Sequence, residues 1–183
     1  MKWLQNTSFV NIRQVKWLEI LALMGLGLIL AVVQANLRLP LKLPGWRGII
    51  WLTPLISTRL LTSHFAAASI TGLSAAGFSL LLGVRAFPDE WLFYFVVGEL
   101  IDIAYHKSQI WQKQVWFWAI IAGLVHLLKP LTKVVMSLSG VGSYGAASSG
   151  LIYPLLTHLL FGLIAGAMGA TIVLAAKNRR KIS

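Results

Sequence analysis

Residues 151–176 read LIYPLLTHLLFGLIAGAMGATIVLAA. They lie inside a run of 43 residues, between Lys133 and Lys177, that holds no Asp, Glu, Lys or Arg. A helix needs about 20 mainly apolar residues to cross the hydrocarbon core of a bilayer. This run supplies one crossing with residues to spare. Two more uncharged runs lie upstream, 18 residues between Glu19 and Arg38 and 25 between Arg59 and Arg85. The whole chain of 183 residues is 57% hydrophobic and 11% charged. A soluble domain of this size needs more charge to cover its surface. The expectation is an all-α, polytopic membrane protein.

Punctuation between the apolar runs divides the chain into six predicted spans, at about 17–37, 48–61, 63–84, 89–106, 115–133 and 151–176. Residues 1–16 then form a cytoplasmic tail, 17–176 a six-helix transmembrane domain, and 177–183 a basic cytoplasmic tail. The N-terminal run, ending near Val33-Gln34-Ala35, also has the shape of a secretory signal. Its length and the membrane region after it favour a span. Residues 38–47 carry two prolines and a glycine, which forbid a continuous helix and predict a loop on the membrane surface. The second span is short, with Pro54 inside it and Arg59 placed to snorkel to the interface. Pro130 is expected to break or kink the end of the fifth. Residues 139–150 read as a flexible loop of small residues.

Charge orients the bundle. Of the 16 basic residues, ten fall on the N-terminal side of this map and six on the other. Cytoplasmic loops carry the excess of Lys and Arg, so both termini are expected inside the cell membrane. Trp17 and Trp111 then mark the inner interface, and Trp46 and Trp91 the outer one. The net charge of +11 does not point to nucleic acid, because the basic residues cluster beside apolar runs. The absence of cysteine excludes disulfides and thiolate metal sites.

Small residues recur every four positions in three spans: Gly27, Ala31 and Ala35; Ala68, Gly72 and Ala76; Gly162, Gly166 and Ala170. Each stripe permits close helix approach, and the first is the best candidate to face another protein. Polar residues concentrate elsewhere. Glu99, Asp102 and His106 share one face of the fourth span at i, i+3, i+7. His126, Lys129 and Lys133 repeat that spacing on the fifth, so the two faces could meet. Glu99 falls near mid-membrane, where a carboxylate is costly and implies function. His126 lies closest to it in depth. Asp102 and His106 are expected near the cytoplasmic interface, and Tyr153 and Thr157 near the outer mouth. His158 is read first as a packing residue. No catalytic constellation, metal-ligand cluster or Walker motif is present, so no enzyme activity, cofactor or metal is expected.

This pattern resembles the substrate-binding S components of energy-coupling factor (ECF) vitamin transporters over about residues 17–176. The resemblance rests on six spans in fewer than 200 residues, the span-one stripe, the short second span, the Leu39-Pro-Leu-Lys-Leu-Pro-Gly-Trp-Arg47 loop and the polar face of span four. It implies a chain that binds a vitamin or its precursor near the outer face. Such a chain would couple to a membrane scaffold subunit and an ATPase pair. It implies a partner contact at Gly27, Ala31 and Ala35, a lid at 38–47 with Trp46 stacking on the ligand, and ligand contacts from Glu99, His126, Lys129 and Tyr153. The metal-specific branch begins with Met-His, whereas this chain begins Met1-Lys2-Trp3. A cationic heterocycle would suit Glu99 and His126; a carboxylate would suit Lys129, Lys133 and Arg47. Two other readings stand beside it. One is a stand-alone proton- or ion-coupled carrier relaying through Glu99 and His126. The other is a membrane scaffold in which only the stripes matter.

Overall fold

Each predicted span contains a helix in the computed structural model, which describes residues 12–37, 43–83, 88–138, 150 and 152–179. The helices are α1 (Ile12–Asn36), α2 (Gly48–Leu61), α3 (Ala67–Leu81), α4 (Pro88–Lys107), α5 (Val115–Leu138) and α6 (Ile152–Arg179). Three of them are long and apolar enough to cross a membrane, at Trp17–Asn36, Val115–Val135 and Ile152–Arg179. α2 and α3 have 14 and 15 residues, which at about 1.5 Å per residue reach only some 21–23 Å.

The chain packs as two triplets. α3 lies between α1 and α4, and α6 lies between α5 and α2. The short α2 touches all five other helices. Eight of its fourteen residues are buried, among them Trp51, Leu52, Leu55 and Ile56. Around them close Phe93, Val97 and Ile101 of α4, Phe117, Trp118 and Ala122 of α5, and Ala165 and Val173 of α6. A helix screened this way need not match the thickness of a bilayer, since protein surrounds it.

The small-residue stripes set the spacing of both triplets. A Cβ added at Gly72 would stand 2.3 Å from the Tyr94 carbonyl oxygen, and one at Gly98 2.6 Å from that of Ala68. α3 and α4 therefore meet backbone to backbone. At Gly166 the added atom would stand 2.2 Å from the Trp118 carbonyl oxygen, which fixes α6 on α5. α1 uses its stripe on α3. Gly27 abuts Ser74 and Thr71, Ala31 is 1% exposed, and Ser74 Oγ donates to the Met24 carbonyl at 2.8 Å. The expectation that Gly27, Ala31 and Ala35 face a partner is thus corrected: the chain itself covers Gly27 and Ala31, and Ala35 is half-buried. α1 turns Leu18, Leu21, Ile29 and Val32 outward instead.

Boundaries also shift. α1 begins inside the expected tail and α6 extends to Arg179. α5 runs through Pro130 to Leu138 rather than ending there. α3 starts at Ala67, four residues late, because the preceding residues form a turn held by side chains from α2 and α4.

Candidate functional site

The first polar centre lies where the C-terminal ends of α2 and α4 meet the N-terminus of α3. Ala66, at the N-cap of α3, has no side chain able to cap the helix. Asp102 of α4 does so from across the bundle. Its Oδ2 accepts from Ser69 N at 2.8 Å and Ser69 Oγ at 2.6 Å, and its Oδ1 from Ala68 N at 3.2 Å. The unpaired N–H groups and positive dipole end of α3 suit a carboxylate there. Arg59 completes the centre with an ion pair to Asp102 at 3.1 Å. Its guanidinium also donates to the carbonyls of Thr62, His64 and Phe65 and lies 4.1 Å from the Tyr105 ring centroid. His106 Nε2 donates to the Phe65 carbonyl at 2.8 Å.

Arg59 is 1% and Asp102 4% exposed. One expectation is corrected: Arg59 does not snorkel but is buried inside the bundle. Asp102 is buried with it, near the C-terminal end of α4. The acidic face of α4 meets α3 and Arg59, not the basic face of α5. Every bond in this centre ties one helix end or loop to another, so its chemistry is that of a structural clasp.

The second centre lies at the opposite end, where the 43–47 turn enters α2. Gly45 has φ +83°, open to glycine and strained for other residues. Its carbonyl accepts from Gly48 N at 2.8 Å and from His126 Nε2 at 2.9 Å. His126 of α5 is 1% exposed, and the edge of Trp51 meets its ring at 5.6 Å. Gly162 and Gly166 bring α6 close to α5. One turn before Gly162 on the same face, His158 therefore packs beside His126, with ring centroids 4.8 Å apart and planes tilted by 42°. His158 Nδ1 donates to the Pro154 carbonyl at 2.7 Å. Both rings thus hold a proton on a nitrogen that faces a carbonyl oxygen. His126 Nδ1 is buried without a hydrogen-bond partner. The charge of Lys129 acts on both rings and that of Lys133 on His158.

Of the residues singled out from sequence, His126, Lys129 and the turn carrying Trp46 come together here. Trp46 is buried, with the exposed Arg47 guanidinium 5.7 Å from its ring centroid. Tyr153 is 44% exposed, and no contact joins it to the histidine pair among the described residues. Glu99 does not join it either. It sits two residues from both Val97 and Ile101, each 0% exposed in the core, which places it about 200° around the helix from them. Among the described residues no hydrogen bond or ion pair links Glu99 to His126. His158, expected as a packing residue, joins the pair; the signal for this in the sequence is its position one turn ahead of the Gly162–Gly166 stripe. Residues 38–42 of the expected lid, and the Trp91 side chain, lie outside the described residues.

A small space between α1, α2, α3 and α4 is walled by Gln34, Trp51, Ser79 and Tyr94. At about 10 Å³ it has room for one water and not for a vitamin. No group of three or more potential metal ligands occurs among the described residues.

No protein-family model matches this chain, and no curated protein or solved structure is significantly similar to it.

Proposed function

We propose that this chain is a six-span membrane protein with both termini cytoplasmic, and that it is the solute-binding subunit of an uptake system for a small water-soluble vitamin or precursor. A separate scaffold and ATPase pair would supply energy. The observation that carries the reading is the His126–His158 pair, buried under the Gly45 turn at the expected outer end, with a ring nitrogen left unpartnered. Buried polar groups are normally satisfied, so the unpartnered His126 Nδ1, one of four such atoms among the described residues, supports a site that something else completes. The clasp at Arg59 and Asp102 supports the orientation, because it removes only one basic residue from the inner side and leaves Lys107, Lys113 and Lys177 exposed there. The stand-alone carrier reading has less support, since among the described residues no hydrogen bond or ion pair joins Glu99 to His126.

The test is solute binding by the purified full chain in detergent. One solute should bind with 1:1 stoichiometry, His126→Ala and His158→Ala should weaken it at least tenfold, and Tyr153→Ala should leave it unchanged. Proteoliposomes holding this chain alone should show no uptake. Uptake without partners would favour a carrier. A correctly folded chain that retains no solute would defeat the reading.

A further inference from the structure

Resting on the reading that α4 and α5 both cross the membrane, we propose that the connection between them, residues 108–114, is a docking surface for anionic phospholipid headgroups at the cytoplasmic face. Its backbone is closed by hydrogen bonds. Ser108 N donates to the Ala104 carbonyl, Trp111 N to that of Ser108 and Gln114 N to that of Trp111, at 3.1, 2.9 and 2.9 Å. Gln112 ties it to both helices. Its Nε2 donates to the Tyr105 carbonyl of α4, and its own carbonyl accepts from the Trp118 indole of α5 at 2.9 Å. The connection therefore presents a set surface, and that surface is both apolar and basic. Ile110 is 84% and Trp111 46% exposed. The Trp116 ring, in the first turn of α5, meets that of Trp111 edge-on, with centroids 5.1 Å apart. Lys107, the last residue of α4, and Lys113, inside the turn that Gln114 closes on Trp111, are both exposed.

Continuity and charge select lipid as the occupant. Trp116, Ile120 and Leu124 of α5 are exposed at intervals of four, so they form one apolar stripe along the helix. On α4, Ile103 is exposed and Lys107 follows one turn later. Each stripe runs into the connection. Its rings thus lie where acyl chains give way to headgroups, the level at which tryptophan is enriched, rather than out in the water where a soluble partner would dock. Lysines at that level lay their stems on apolar surface and raise the ammonium to the phosphates. Little acidic charge opposes them at this end among the described residues: Asp102 is buried against Arg59, and Glu19 is half-buried on α1. Lys177 and Arg179 add exposed basic charge. Basic residues beside a span attract anionic lipid, whereas a zwitterionic headgroup brings a cation of its own.

The test titrates the full chain in detergent with phosphatidylglycerol and with phosphatidylcholine of identical acyl chains, and counts bound lipid by native mass spectrometry. Phosphatidylglycerol should bind about fivefold tighter or more, and salt should shrink the preference. Lys107→Gln/Lys113→Gln should abolish it and Lys107→Arg/Lys113→Arg should keep it. The same loss of charge in Lys177→Gln/Arg179→Gln should lower it less. Melting midpoints of the variants separate lost binding from lost fold. Equal binding of the two lipids overturns the proposal, as does an equal loss in Lys177→Gln/Arg179→Gln. So does a preference that survives in folded Lys107→Gln/Lys113→Gln; a protein that copurifies with the parent chain and not with that variant then assigns the surface to a protein partner. A lysine-dependent preference, with Lys113→Cys labelled from outside the cell, supports the lipid surface and overturns only the orientation of α4 and α5.

Discussion

Arg59 and Asp102 are each nearly inaccessible and share one ion pair, so removing either strands the other. Breaking a buried pair from one side typically costs about 3–5 kcal/mol. Asp102→Ala additionally uncaps α3, and is expected to lower the melting midpoint of the detergent-solubilised protein more than any exposed substitution does. The double variant Arg59→Met/Asp102→Leu should melt above either single variant, because it leaves no stranded charge. A double variant that melts below both singles would contradict the clasp. Part of this was legible in the sequence. His126 and Lys129 stand out because polar residues are rare in apolar runs. The Arg59–Asp102 pairing is not legible in either helix alone, because each residue's own sequence context places it at a helix end and says nothing of its partner. Depth along the chain would have set them at the same end. Depth counts against a Glu99–His126 pair: Glu99 lies three residues from Asp102 on α4, and His126 meets the Gly45 turn at the other end.

Among the helices, glycines determine which pairs can touch. Gly166→Ala forces a methyl against the Trp118 carbonyl oxygen, and overpacking of this kind costs about 1–3 kcal/mol. Gly77 of α3 is exposed with nothing within 4 Å of an added Cβ. Gly77→Ala should therefore be neutral or stabilising by up to about 1 kcal/mol, through helix propensity alone. Equal melting midpoints for the two variants would show that the α5–α6 contact is not as close as described. Ala31→Leu belongs with the first class, since Ala31 is buried on α3, so its loss of function would report misfolding rather than a lost partner. The stripes were readable as packing surfaces, because a period of four survives any change of neighbour. Which helix each stripe meets was not readable, because that depends on how six helices close around α2. An open groove of about 420 Å³ remains between α1 and α3, lined by Ile20, Met24, Leu73, Gly77 and Phe78.

For the whole molecule, the central claim is that short α2 and α3 and charge-bearing α4 cross the membrane together with α1, α5 and α6. Composition and length single out only the last three. The chain has no cysteine, so single cysteines report topology without background. Arg47, before α2, and Lys113, between α4 and α5, are both exposed. If all six helices cross, three crossings separate these positions and they lie on opposite sides. If only α1, α5 and α6 cross, no crossing separates them. The deciding measurement is labelling of Arg47→Cys and Lys113→Cys in intact and permeabilised cells with a membrane-impermeant maleimide. Six spans with cytoplasmic termini predict that Arg47→Cys is labelled in intact cells and Lys113→Cys only after permeabilisation. Labelling of both from the outside would contradict the account.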